Sequence, residues 1–443
     1  MMQINSIPQA EFKETKIGLI PVDWECFPIK DVVTFTNKPR GLNTSTFESI
    51  PFIPMELISE QDTYIAQFEL RSPEEIKSGS YCERGDLLIA KITPSFENGK
   101  QGILDNIPTN FAYATTEVYA LKPIPHLVDL MFLFGYFKLD MVRQEIAGKM
   151  EGTTGRQRVP KSVIENYLIP TPPLPEQRRI AAVLNTIQDE IAVQDDILRE
   201  LREFKRSTME RLFTYGAGDT HAETKLTEIG EIPVHWEVLE LEEVADIDYG
   251  IQAAVAHMTD ESIGIPILTN VNIDLEGYLD LSLLRYYPLP NKKSDKILKH
   301  GDVLFNWRSG SEKHVGKTAI FDLDDEYTFS SFILRFRIKK SVQTHFLVYF
   351  LQYQKDMGFF TKKSGQSSVN SVINASNAAK LPVAFSEDTK EQDRIVSILS
   401  DIDAKIGAEE DRKSALQDFF RTMLQQLMTG QIRLLSDDGL ENI

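Results

Sequence analysis

The apolar positions of this chain recur with a helical period along two long stretches. From Ile180, alternating spacings of four and three pick out Leu184, Ile187, Ile191, Gln194, Leu198, Leu201, Lys205, Thr208 and Leu212. From Ile395 the same spacings pick out Leu399, Ile402, Ile406, Glu409, Lys413, Leu416, Phe420, Met423 and Leu427. Each position in the second series is the first plus 215, and the polar break at Gln194 returns at Glu409. A seam sustained over more than four heptads predicts a long helix packed on another helix, here twice. The residues expected to be hidden in it are Ile180, Leu184, Ile187, Ile191, Leu198 and Leu201, then Ile395, Leu399, Ile402, Ile406, Leu416 and Phe420.

Shorter patterns repeat around these helices. Ile17-Gly18-Leu19-Ile20-Pro21-Val22-Asp23-Trp24-Glu25 returns as Ile229-Gly230-Glu231-Ile232-Pro233-Val234-His235-Trp236-Glu237. Proline fixes an extended approach there, and tryptophan supplies a large apolar anchor. Gly85-Asp86-Leu87-Leu88-Ile89-Ala90 is echoed by Gly301-Asp302-Val303-Leu304-Phe305-Asn306, each reading as a turn into a buried strand. A polar loop and a second strand follow each: Lys91–Gly102, with an Asn98-Gly99 turn, and Trp307–Gly316. Each half then shows a helical pattern, 127–146 and 346–360. A Gly/Ser/Thr/Gln-rich segment, 152–158 and 364–370, and a proline-bearing strand lead into the long helix.

The chain therefore reads as an N-terminal arm (1–16), a first domain (17–172), a spacer helix (173–215), a linker (216–228), a second domain (229–383), a second spacer helix (384–434) and an acidic tail (435–443). The expected fold class is α+β: two globular domains separated by two long antiparallel coiled-coil helices, with a pseudo-twofold internal repeat. A duplicated frame with divergent loops suggests two related sites that recognise different things.

Composition narrows the picture. With 443 residues, 42% hydrophobic and 26% charged, the chain reads as a multidomain soluble protein. No apolar run is long enough for a membrane span. The N-terminus lacks the features of a signal peptide, and two cysteines make no disulfide framework, so a cytoplasmic location is expected. The net charge of −18 argues against a free-standing nucleic-acid binder unless basic residues are local or a partner supplies positive surface.

Catalytic signatures are missing. The seven histidines show no metal-ligand spacing, and there is no dinucleotide fingerprint, no nucleophile elbow and no Asp/Asn-Pro-Pro-Tyr/Phe motif. Gly310…Gly316-Lys317-Thr318 resembles a phosphate-binding loop, but five residues separate the glycines where four are needed, and Ala319-Ile320-Phe321 reads as strand. What remains is recognition chemistry: arginine and lysine suit guanine or phosphate, asparagine and glutamine suit adenine. The candidate DNA contacts are Lys91, Thr93, Ser95, Asn98, Lys100, Arg156, Gln157 and Arg158 in the first half. In the second they are Arg308, Ser309, Lys313, Lys317, Gln366, Ser367 and Asn370.

The ordered, duplicated motifs, with Pro172-Pro173-Leu174-Pro175-Glu176-Gln177-Arg178-Arg179-Ile180 and Leu427-Met428-Thr429-Gly430-Gln431-Ile432-Arg433-Leu434, resemble the specificity subunit of type I restriction–modification enzymes. The likeness spans residues 12–434. The second half departs from it at Ser386–Lys390 and Ser364–Ser367. The resemblance implies two target recognition domains, each reading half of a split double-stranded DNA target, with helices that space them and dock methyltransferase subunits, two being expected. It implies motor–nuclease restriction subunits as further partners. It also implies S-adenosylmethionine in the methyltransferase, with no cofactor, metal or catalytic residue in this chain. Two other readings compete: a coiled-coil scaffold binding protein or carbohydrate, and an enzyme with a composite site. Salt-dependent binding of duplex DNA by the chain with its partner separates the first reading from both.

Overall fold

The computed structural model describes residues 11–435, except 154, 219–221, 253–258, 260, 262, 289–294, 340–341 and 361–370. The polar tail beyond Leu435 lies outside the described residues. Two continuous helices dominate, Leu174–Tyr215 with 42 residues and Thr389–Met428 with 40. Pro175 sits in the first turn of the former, where a missing N–H costs nothing.

The chain divides into two compact units, residues up to Asp195 with Asp411 onward, and Asp196–Glu410. The division cuts both long helices, because each unit packs half of one helix against half of the other. In the first unit Ile180 and Leu184 share a core with Leu424, Leu427 and Met428. In the second, Leu198, Met209, Leu212 and Phe213 share one with Ile395, Leu399, Ile402 and Ile406. The partners run in opposite directions: Lys413 meets Asp195 in the first unit, while Arg202 reaches Glu410 at 2.6 Å and Lys205 reaches Asp403 at 2.7 Å in the second. Of the expected seam residues, Ile180, Leu184, Ile187, Leu198, Ile395, Leu399, Ile402 and Ile406 are buried, and Ile191, Leu201, Leu416 and Phe420 are half-buried. Gln194 is buried within the same seam.

The domain of the first unit holds two four-stranded sheets. One orders its strands Val33–Phe35, Val118–Pro123, Leu87–Ala90, Gln101–Ile103; the other Glu69–Arg71, Ile50–Ile53, Phe111–Ala114, Ser80–Glu83. In the second unit Ala245–Tyr249, Ile333–Ile338, Asp302–Asn306 and Thr318–Phe321 repeat the first order, beside a three-stranded sheet Arg285–Tyr287, Ile265–Leu268, Thr328–Phe329. The pairs Ile50–Ile53 with Phe111–Ala114, and Ile265–Leu268 with Thr328–Phe329, are the parallel ones. Strands Leu87–Ala90 and Asp302–Asn306 are buried throughout, as the apolar runs 87–90 and 303–305 require; Asp302, at the start of the second strand, is paired with Arg337.

Three elements differ from the sequence reading. Residues 12–15, read as part of an arm, form a strand paired with Gly18–Pro21, and Thr224–Thr227, read as linker, pairs likewise with Gly230–Pro233. Each hairpin turns on a glycine in the left-handed region, Gly18 at φ 98° and Gly230 at φ 101°. A threonine hydroxyl pins each turn, Thr15 donating to Gly18 O at 2.7 Å and Thr227 to Gly230 O at 2.8 Å. The single helical pattern over 127–146 is two helices, Leu130–Lys138 and Asp140–Ala147, broken where Leu139 adopts an extended ψ of 124°. Gly135 faces the long helices, and a Cβ there would stand 2.5 Å from the Met428 methyl.

The Glu-Gln pair that opens each long helix fastens it to its domain. The Trp24 indole N–H donates to Glu176 at 3.1 Å, and Trp236 donates to Glu391 at 3.2 Å. The amide of Gln177 donates to Leu127 O at 3.0 Å and Pro172 O at 2.8 Å and accepts from Asp129 N–H at 2.8 Å. Gln392 donates to Ser386 O at 2.7 Å and accepts from Gln343 N–H at 2.8 Å. Both glutamines are fully buried, so truncation strands polar backbone groups away from water. Gln177→Ala should cost about 3 kcal/mol of the first unit's stability, and Gln392→Ala about 2 kcal/mol of the second's. Denaturant melts monitored at each unit measure this; a loss below about 1 kcal/mol in both variants would mean that these amides are dispensable.

Candidate nucleic-acid interface

The two polar loops of the first domain are drawn together by backbone hydrogen bonds. Val159 N–H donates to Lys91 O at 2.8 Å and Thr93 N–H to Gln157 O at 3.0 Å. The second loop closes on itself between Glu151 and Arg158, through bonds of 2.9 and 2.8 Å. The first loop coils around buried Phe96, with Asn98 N–H on Pro94 O at 2.9 Å, and turns at Gly99, whose φ is 78°. That left-handed value is the one an Asn-Gly turn supplies.

The second domain repeats the device. Arg308–Ser309 pairs antiparallel with Ser371–Val372, and Ile373 N–H donates to Trp307 O at 2.9 Å. The Trp307 ring packs edge-on against Tyr249 at 5.4 Å, and its indole N–H reaches Ser331 O at 2.7 Å. Thus one polar loop follows the buried strand in each unit, zipped to a second that precedes the long helix.

The side chains fall into distinct groups. Arg156 is exposed, and its guanidinium has no partner among the described residues; Gln157 beside it is half-buried. Arg158 grips Glu117 with two bonds of 2.8 and 2.7 Å, and that guanidinium holds the Glu117 carboxyl below the usual carboxylate range. Lys91 lies over the Tyr119 ring at 4.9 Å, where burial lowers its ammonium pKa. Thr93 donates to Glu97 at 2.6 Å and Asn98 to Glu60 at 3.2 Å, while Ser95 is half-buried. Arg308 and Lys313 are exposed and Ser309 half-buried. Lys313 borders a cleft of about 580 Å³ whose walls carry Arg199, Arg202, Lys205 and Arg206 from the first long helix and Lys355 from another, together with Glu203, Glu276, Asp356 and Asp403. Arg202 is paired with Glu410 and Lys205 with Asp403, so those two cations are balanced within the second unit. Gln366, Ser367 and Asn370 lie outside the described residues.

Two of the expected contacts are structural cations. Lys317 is buried: its side chain runs under the turn at Asn270–Ile273, where its ammonium donates to Asn270 O at 2.7 Å and to Ile273 O. The strand Thr318–Phe321 begins directly after it, where a phosphate-binding loop runs into a helix N-terminus, and the Lys317 ammonium is committed to carbonyls. Lys100 is half-buried, with its ammonium on Met55 O at 3.1 Å. Among the described residues no group of three or more His, Cys, Asp or Glu side chains is placed to hold a metal, and no helix is long and apolar enough to cross a membrane.

Known proteins resemble this chain in sequence and in fold. The sequence profile of the type I restriction modification DNA specificity domain matches twice, over residues 21–203 and 233–418. The chain is 25% identical to the type I restriction enzyme MjaVIII specificity subunit of Methanocaldococcus jannaschii over 439 residues, 96% of this chain and 97% of that one. It is 34% identical to the EcoAI specificity subunit of Escherichia coli over 169 residues, 38% of this chain and 28% of that one. A chain solved in work on complex assembly and conformational transition of the type I R-M system has a TM-score of 0.60 at 17% identity, covering 93% of this chain and 99% of its own. The type I restriction–modification S subunit of M. genitalium has a TM-score of 0.52 at 15% identity, covering 91% and 96%. At such identities the solved chains show a shared fold.

Buried and exposed cations should behave oppositely on substitution. Lys317→Met strands two carbonyls and should cost about 2–4 kcal/mol in stability. Arg308→Ala should leave the melting temperature within about 1 °C, as exposed substitutions do. Thermal melts decide: equal stability of the two variants would contradict the buried role of Lys317.

Proposed function

The chain belongs to the type I restriction–modification DNA specificity family, and from that premise we propose that each of its two domains reads one half of a bipartite duplex target through its zipped pair of loops. The observation that carries this reading is the recurrence of the loop pair at equivalent places on two copies of one frame, with different side chains on each. Arg156 and Gln157 serve one half-site and Arg308 and Ser309 the other, with Gln366, Ser367 and Asn370 retained as candidates for the second. Guanidinium groups address guanine or phosphate, and amides address adenine. The chain contributes no catalytic group; methyltransferase subunits carrying S-adenosylmethionine dock on it, and motor–nuclease subunits join them. The long helices set a gap of fixed length and free sequence between the half-sites.

Sequencing the DNA methylated by the chain with its methyltransferase subunit tests the loops. Arg156→Ala with Gln157→Ala should relax positions in one half-site only, each lost base contact costing about 1–3 kcal/mol. Arg308→Ala should act on the other half-site alone. Unchanged specificity in all of these variants would reject the loop assignment. The ruler has its own test. Asp195 and Lys413 face each other, so one heptad inserted after Asp195 and one before Lys413 preserves the seam. Each adds about 10 Å of helix, which should widen the gap by roughly three base pairs with both half-sites unchanged. An unchanged gap would show that the helices are not the ruler.

A further inference from the structure

A two-residue phrase recurs at the foot of the first polar loop in each unit. Gly99-Lys100 closes the loop that begins at Lys91, and Gly316-Lys317 closes the one that begins at Trp307. Strand register makes the two lysines the same residue of the repeat. Leu87 and Val303 each follow a Gly-Asp pair. Leu87 pairs with Ile103 and Val303 with Ile320, so Lys100 and Lys317 each stand three residues before an equivalent partner. Both glycines are left-handed, at φ 78° and 83°.

The two ammonium groups make the same bond. Ile50–Ile53 and Ile265–Leu268 are equivalent parallel strands: Thr115 N–H donates to Ile53 O at 2.9 Å, and Ser330 N–H to Leu268 O at 2.8 Å. Two residues beyond each strand, Met55 O accepts from Lys100 at 3.1 Å and Asn270 O accepts from Lys317 at 2.7 Å. Lys317 adds a second bond, to Ile273 O. Each lysine thus ties the outgoing leg of a polar loop to the segment that follows the parallel strand. The acceptors are backbone carbonyls, so the bond holds whatever side chains that segment carries. Those side chains have diverged, with Met55-Glu56-Leu57 standing against Asn270-Val271-Asn272. A fastener that ignores side chains suits a frame whose recognition surface changes while its geometry does not.

The first unit has a second ammonium at this corner. Lys138, nine residues after the helix cap Asp129, donates to Glu60 O at 2.7 Å and to Gly99 O at 3.5 Å. The Glu60 carboxylate in turn accepts from the Asn98 amide at 3.2 Å. Nine residues after the corresponding cap, Gln343, the second unit has Gln352, which donates to Thr318 O at 3.3 Å. Among the described residues, then, the segment after the parallel strand is held by two ammonium groups in the first unit and by one in the second.

We propose that Lys100 and Lys317 are positioning residues for base readout. Each locks the foot of its unit's first polar loop to the frame, so that removing the ammonium relaxes the half-site which that unit reads and leaves the other intact. This rests on the functional reading above.

Sequencing the DNA methylated by the full chain with its methyltransferase subunit provides the test, at a temperature where the melt of each variant shows it folded. Lys317→Met should lower discrimination against single mismatches in one half-site by about tenfold. Lys100→Met should act on the other half-site by only about threefold, because Lys138 shares the hold; with Lys138→Met added, the loss should reach about tenfold. Lys100 borders an open cleft of about 450 Å³, which leaves room for a longer cation. In the Lys138→Met background, Lys100→Arg should therefore recover discrimination to within about threefold of the original. A lysine that only stabilises the fold would lower methylation at every site without changing which bases are accepted. That result in Lys317→Met and in the Lys100, Lys138 double variant would overturn the proposal. So would equal relaxation of both half-sites in either variant, or Lys100→Arg behaving as Lys100→Met does. If Lys317→Met does not fold, the Lys100 series decides. Failure of the unmodified chain and its partner to methylate any bipartite target would instead overturn the functional reading.

Discussion

The buried bond between a tryptophan and the first turn of a long helix sets the geometry of each unit. Trp24 and Trp236 are fully enclosed, yet each indole carries one N–H that must be satisfied. Glu176 and Glu391 supply the acceptor, and the neighbouring Gln177 and Gln392 hold backbone groups of the domain at the same helix terminus. A loop that recognises a base must be fixed relative to its scaffold to within a fraction of an ångström. In each unit the zipped loops hang from sheets that are themselves fastened to the helix by this pair, so on the proposed reading buried polar bonds as well as apolar contact serve that tolerance.

The two units close the same corner with different chemistry. In the first, the guanidinium of Arg433 reaches Glu176 at 2.8 Å and Asp23 at 2.6 Å and covers the Trp24 ring at 5.5 Å. The segment after the second long helix thereby becomes part of the first unit. In the second, His235 stands where Asp23 does, at 2.9 Å from Glu391, and Ala217 N–H donates to the same carboxylate at 3.2 Å. The carboxylate and the tryptophan are held in both copies, whereas the other groups bonded to that carboxylate differ. That asymmetry marks the Trp–Glu bond as the fixed element and the carboxylate's remaining partners as the adjustable ones.

Legibility followed the physics of each feature. The long helices could be read because a seam must repeat at every turn, and the buried strands because a strand covered on both faces needs a continuous apolar run, here 87–90 and 303–305. The hairpins at Thr15 and Thr227 escaped notice, since short strands with one exposed side carry almost no periodic signal. The break at Leu139 was hidden because two helices packed on one core share one apolar pattern. At the candidate interface, the loops could be placed by their position after a strand, but the fate of each cation could not. Lys317 and Arg308 look alike in sequence; only the backbone carbonyls of Asn270 and Ile273, on a separate turn earlier in the chain, distinguish the buried one.

The charge balance bears on how the chain can hold DNA. It carries 48 basic and 66 acidic residues, and several of the cations are committed internally: Lys317 and Lys100 to carbonyls, Arg158 to Glu117, Arg433 to Glu176 and Asp23. Lys138 is another, buried with its ammonium on Glu60 O at 2.7 Å, where desolvation pushes its pKa down to about 8. The cationic surface left for phosphates is therefore smaller than the composition suggests, and affinity from counterion release scales with the number of phosphates neutralised. On the proposed reading, this chain supplies orientation and base contacts, and the subunits docked on its helices supply the positive surface that closes around the duplex. Discrimination between sequences then resides in a few loop side chains whose contribution is not masked by a strong, sequence-blind attraction, because tight non-specific binding would raise the affinity of every wrong site as well.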